Sequence, residues 1–159
     1  MKIRSIAAFA GVALFAAGLA QAQVPQYGPN ITLDQAKKMI AAAEAESKAK
    51  GWPMAIAIVD TAGMLVAYAR MDNTQTGSVQ VSIDKAVSSA MYRRPTKAVQ
   101  DGLAAGGAGM RFLNLRNMST VEGGVPIEVG GKIIGGIGVS GMASNQDAEI
   151  AAAGLAALK

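Results

Sequence analysis

A basic cluster, Arg93-Arg94 with Lys97, brackets Pro95. Guanidinium and ammonium groups so placed either hold carboxylates by charge-assisted hydrogen bonds or form a solvated turn between helices. Met91, Met110 and Met118 read as apolar filler, the usual role of methionine. Glu122, just before Gly123-Gly124, is either a turn-exposed carboxylate or a buried acid. The chain has no His and no Cys. A His-dependent triad is therefore excluded, as is an ordinary zinc site, which needs those ligands. Ser140 lies in G-V-S-G-M and misses the nucleophile elbow G-x-S-x-G at its last position, so it reads as a turn residue. Asp60 and Asp72 fall at strand ends and turns, where Asp is common. With Asp84 they do not make the convergent oxygen set that a hard cation needs.

The elements that would position these groups are organised around Gly123–Asp147. Two β-type runs, Val125–Val129 and Lys132–Val139, flank Gly130-Gly131, a two-residue hairpin signal because both turn positions tolerate positive φ. Gly135, Gly136 and Gly138 interrupt the second run, which implies close approach of another backbone or a ligand. The expected neighbour is the alanine-rich terminal helix, Asn145 to Leu158, with Ser144-Asn145-Gln146-Asp147 as its capping pattern. Gly136 to Gly141 also spells G-x-G-x-x-G. A dinucleotide fold needs a further parallel strand with an acidic residue about 20 positions on, and Lys159 is the last residue of the sequence. Tight strand–helix packing is the preferred reading.

Upstream, Thr32-Leu33-Asp34-Gln35 is a capping box opening a helix that runs to about Lys50, with Gly51 as its stop. Met54–Asp60 and Met64–Arg70 form a hairpin, the connection being too short for parallel pairing. Ser78 or Ser82 caps a helix ending near Tyr92, whose apolar face holds Ile83, Ala86, Val87 and Ala90. A shorter helix starts near Thr96. Met110–Asn117 is either a short helix or extended, and Met118–Val121 is expected to enter the sheet. The order α-β-β-α-α-β-β-β-α implies five antiparallel strands with packed helices.

Residues 1–22 read as a secretory signal: Lys2 and Arg4, an apolar run from Ile6 to Leu19, and Ala20-Gln21-Ala22 as the cleavage site. The run is short for a spanning helix, so no stable membrane anchor is expected. The formal charge is +4; without Lys2 and Arg4 the chain carries 13 basic and 11 acidic residues, a net +2. That balance, with few aromatics, gives no footprint for nucleic acid. Residues 23–30 read as an irregular mature N-terminus, and 31–159 as one domain with its own core.

Four stretches together resemble the GlcG/HbpS family, also found as the C-terminal domain of PduO-type proteins. They are ITLDQAKKMIAAAEAESKAKG, AIAIVDTAGMLVAYARMDN, SIDKAVSSAMYRRPT and GGVPIEVGGKIIGGIGVSGMASNQDAEIAAAG. They cover most of Ile31 to Gly154 in the family's order, and GGVPI … GGIGVSG … QD is the specific part. The resemblance implies an α/β (α+β) domain, a five-stranded antiparallel sheet with packed helices, similar to profilin-like folds. It implies homo-oligomers, octamers occurring among members, and secreted forms. Several members bind haem, and some are described as degrading it. Others sit beside glycolate or corrinoid metabolism. Some members ligate iron through His, which this chain lacks; Met91, Tyr92, Thr96 and Met110 are then the candidate ligands.

On that resemblance the first reading is a periplasmic or secreted haem-binding protein with a degrading or sequestering role. Arg93, Arg94 and Lys97 would meet the propionates, and Met91, Tyr92 and Met110 the ring. A second is a periplasmic enzyme on a small organic acid or aldehyde, with Lys85 or Glu122 as acid/base and Arg94 as clamp. A third is an oligomeric, stress-linked or sensory accessory protein without catalysis. Export makes a direct prediction: intact-mass measurement of periplasmic protein finds a chain beginning at Gln23, and recovery of full-length chain in the cytoplasm alone refutes it.

Overall fold

The computed structural model describes residues 24–158. The strands are β1 (Gln26–Tyr27), β2 (Ala55–Val59), β3 (Leu65–Arg70), β4 (Gly124–Val129) and β5 (Lys132–Ser140). The helices are α1 (Leu33–Lys50), α2 (Ser78–Tyr92), α3 (Thr96–Ala104) and α4 (Ser144–Ala156), with a 3₁₀ segment at Gly107–Asn114. No helix among the described residues is long and apolar enough to cross a membrane.

β5 is central. β4 pairs with one side of it and β2 with the other, both antiparallel, and β3 extends the sheet from β2. β1 pairs parallel with the start of β5, Gln26 opposite Lys132 and Tyr27 opposite Ile133. The sheet is therefore mixed, correcting the all-antiparallel expectation. The five-strand count holds, but Met118–Val121 is not a strand, and the fifth comes from the segment expected to be irregular. Side chains explain why that segment docks. The Tyr27 hydroxyl donates to the carbonyls of Ala90 and Met91, at 3.1 and 2.8 Å. Arg93 donates to the Pro25 carbonyl and stacks its guanidinium over the Tyr27 ring.

The local signals in α1 and the last hairpin appear as expected. Thr32 and Gln35 form the capping box, and Gly51 ends α1 in the left-handed region at φ 68°. Gly130 and Gly131 turn the β4–β5 hairpin at φ 57° and 74°. At α2 neither serine caps: Gly77 is the N-cap, while Ser82 donates to the Val79 carbonyl and Ser78 pairs with Ser140.

The two faces of the sheet differ in side-chain size because strand residues alternate. On one face Ile56, Ile58, Ile137, Val139 and Ile127 pack with Met39, Ala43 and Ile150 of α1 and α4. On the other, α2 rests on Ala57, Val59 and the glycines of β5. A Cβ at Gly138 would collide with the Ser82 carbonyl and the Ala86 amide, and one at Gly136 with the Ala86 carbonyl. Gly136 and Gly138 thus serve α2, not the terminal helix expected as their neighbour, while Gly135 lies against the Val59 carbonyl and Ile31. The helix answers with small residues, Ser82, Ala86 and Ala90, one turn apart.

Because backbone meets backbone here, no side chain can swing aside. Gly138→Ala is expected to lower unfolding stability by about 1–3 kcal/mol. Urea denaturation measures it, and an unchanged midpoint would mean that α2 yields freely.

Candidate functional site

The close seating of α2 turns its far side toward solvent. There Val81, Asp84 and Met91 are exposed at helical spacing, with the buried Ser88 between them. The segment Asn117–Val121 runs along this side. Val81, Asp84 and residues 117–121 enclose a groove of about 470 Å³. Two sulfur contacts fix the segment: Ser88 Oγ donates to Met118 Sδ at 3.5 Å, and Asn117 Nδ2 to Met91 Sδ at 3.7 Å. Met91 is 40% exposed, beside the Gly63 turn.

Two arginines border this region through Tyr92. Its hydroxyl donates to the Arg116 carbonyl at 2.6 Å, and its own carbonyl accepts from Arg94 Nε at 3.2 Å. Arg94 and Arg116 are exposed, and neither forms an ion pair among the described residues. The other members of the basic cluster are committed elsewhere. Arg93 holds the N-terminal segment, and Lys97 pairs with Asp101, which raises the lysine pKa. Met110 stands exposed on the 3₁₀ segment, with Leu113 and Leu115 nearby in the chain. Thr96 is buried: its hydroxyl accepts from the Gly124 amide at 2.9 Å and ties α3 to β4. It offers no open ligand position.

Neither acid/base candidate faces this groove's lining. Lys85 is 1% exposed, and its ammonium donates to Asp147 Oδ2 at 2.7 Å and to the Val139 carbonyl at 3.0 Å. Glu122 is half-buried, and its amide donates to Gln100 Oε1. Asp147, read as a cap, is instead the partner of Lys85, and its other oxygen accepts from the Met142 amide. Gln146 serves the helix start, accepting from the Ala143 amide. Gly123, at φ 123°, crosses above the pair; a Cβ there would stand 2.8 Å from Lys85 Nζ. The signal for this pair was a lysine next to the apolar face of α2.

The family model described as haem degrading protein HbpS-like matches residues 31–156. The chain belongs to the HbpS-like family. It is similar to Protein GlcG of Escherichia coli strain K12, 36% identical over 110 residues, 69% of this chain and 81% of that one. An uncharacterized 15.0 kDa protein from the dhaT-dhaS intergenic region of Citrobacter freundii is 34% identical over 119 residues, 74% of this chain and 84% of that one. A double mutant of Streptomyces reticuli HbpS superposes with a TM-score of 0.77 at 27% identity, covering 96% of this chain and 99% of that one. The PduOC:Heme complex shares the fold, with a TM-score of 0.73 at 24% identity over 80% of this chain and 94% of that one.

Burial pushes the Asp147 carboxyl up, outweighing the pull of Lys85 and the Met142 amide. A carboxyl raised in the folded state stabilises fully below the ordinary Asp range, and that contribution is lost as pH rises through its folded value. Removing the lysine leaves a buried, unpaired carboxylate at neutral pH. Lys85→Met is therefore expected to cost about 3–5 kcal/mol at neutral pH. The loss should shrink on acidification, as the orphaned carboxyl takes up a proton. Urea midpoints of the two proteins at neutral and mildly acidic pH measure both effects.

Proposed function

We propose that this HbpS-like chain binds haem or a closely related tetrapyrrole along the outer side of α2, acting as a homo-oligomer in the periplasm or outside the cell. The observation that carries the reading is a partly exposed methionine, Met91, beside a groove of mixed polar and apolar lining and two arginines without an ion pair among the described residues. Haem is an apolar disc with two carboxylates, so it needs an apolar wall and cations at the rim. Val81, Met118 and Val121 provide wall, and Arg94 and Arg116 provide charge. Met91 is the favoured iron ligand in a chain without His or Cys. The Met91 side chain is partly exposed and its sulfur is held only by the long Asn117 contact, whereas the Tyr92 hydroxyl is held by the Arg116 carbonyl and Thr96 is buried. Thioether ligation occurs in haem proteins and favours the reduced iron. Bound haem would supply iron-centred redox chemistry; the chain supplies wall, charge and ligand. The HbpS-like description of the family supports a role in haem handling. Assembly is supported by β3, an edge strand with Met64 and Leu65 exposed at its start.

Haemin titrated into the protein, with serum albumin as competitor, should give a saturable Soret change. A dissociation constant near 1 μM corresponds to about 8 kcal/mol. Replacing Arg94 and Arg116 together by Ala should weaken binding about tenfold, or about 1.4 kcal/mol, with unchanged circular dichroism. A wild type without a saturable spectral change refutes the reading.

A further inference from the structure

A second concave surface lies at the end of α1. Glu44, Lys48, Arg70, Met71 and Asp72 enclose about 340 Å³. A neighbouring lobe of about 360 Å³ shares Lys48, Met71 and Asp72 and adds Trp52, Pro53 and Asn73. Together they fall in the size range of about 300–1,000 Å³ common to small-molecule sites. Two cations and two anions line one lobe, yet none of the four forms an ion pair among the described residues. Opposite charges that share a cleft without meeting each other leave both signs open to a ligand.

The walls are fixed before any ligand arrives. The Trp52 amide donates to the Ser47 carbonyl at 2.9 Å, and Lys50 lies 5.0 Å from the centre of its ring. Lys50 is itself held by Glu46 and Glu149. Across the cleft, the Thr74 hydroxyl donates to the Met71 carbonyl at 2.8 Å, and Asn73 takes the left-handed conformation at φ 64°. Such preorganisation lowers the ordering cost of binding. Trp52, Pro53 and Met71 add apolar surface beside the charges.

We propose that this cleft binds a small zwitterion of the α-amino-acid class with an apolar side chain. Its carboxylate meets Arg70 and Lys48, its ammonium meets Asp72 and Glu44, and its side chain lies on Trp52 and Met71. The site is separate from the haem reading and does not depend on it.

Trp52 is the single tryptophan of the sequence, so indole fluorescence reports on this cleft alone. Full mature chain is titrated with L-leucine, and in parallel with isovalerate and isoamylamine, which each carry one of its two charges. The expected result is a saturable change in Trp52 emission and in its indole N–H resonance. Leucine should bind at least about tenfold more tightly than either analogue, or about 1.4 kcal/mol. Arg70→Ala and Asp72→Asn, both exposed positions, should each remove most of that preference. The proposal is overturned if leucine saturates neither readout, if isovalerate or isoamylamine binds as well, or if both variants bind leucine like the wild type.

Discussion

Helix α2 lies on β5 with main chain against main chain, and the remainder of the domain is arranged by that closeness. No side chain separates the Ser82 and Ala86 peptide groups from Gly138, or the Ala86 carbonyl from Gly136. Only glycine on the strand and small residues on the helix permit it. The opposite face of the same strand carries Ile137 and Val139 into the core with α1 and α4. One strand thus holds bulk on one side and absence of bulk on the other. The depth at which α2 sits sets where Val81 and Asp84 emerge, and hence one wall of the groove.

The Lys85–Asp147 pair works at the same junction. It joins α2 to α4 around the end of β5, with Gly123 crossing above. A buried ion pair is weak evidence for net stability, since desolvation offsets much of the attraction. Here its hydrogen bonds to the Val139 carbonyl and the Met142 amide are directional, and they fix the register of two helices against one strand. That is a positional role rather than a chemical one, and it removes from solvent the lysine that sequence had offered as an acid/base.

Signals that depend on a few consecutive residues could be read directly: the Thr32–Gln35 box, the Gly51 stop and the Gly130-Gly131 turn. Each is settled by local backbone geometry and its own hydrogen bonds. Pairings across distant segments could not be. The glycines of β5 announced a close neighbour, but helices α2 and α4 were both small-residue rich, and no local feature chose between them. Asp147 fitted a cap motif equally well until a buried ammonium from another helix was in reach. Two-residue β1 carries too little pattern to detect, because its docking is secured by the side-chain bonds of Tyr27 and by Arg93 of another element. At the groove, Met91 and Arg94 were named from sequence, while Arg116 and Asn117 were missed because they act through Tyr92 and Met91 rather than through a motif.

The central strand is also the last in sequence order among the described residues. Ala55 waits for Ser140 and Val59 for Gly136, 85 and 77 positions further along the sequence. Loop closure of that length must be completed before the contacts reward it, which slows folding. The β2–β3 hairpin and the helices can form from nearby residues, yet β2 has a strand on one side only, Ile56 beside Ala69 and Ile58 beside Ala67, until β5 arrives on the other. Synthesis from the N-terminus therefore presents the β2–β3 hairpin before the strand that completes the sheet. Until β5 is in place, the incomplete polypeptide exposes apolar surface of the kind that chaperones recognise.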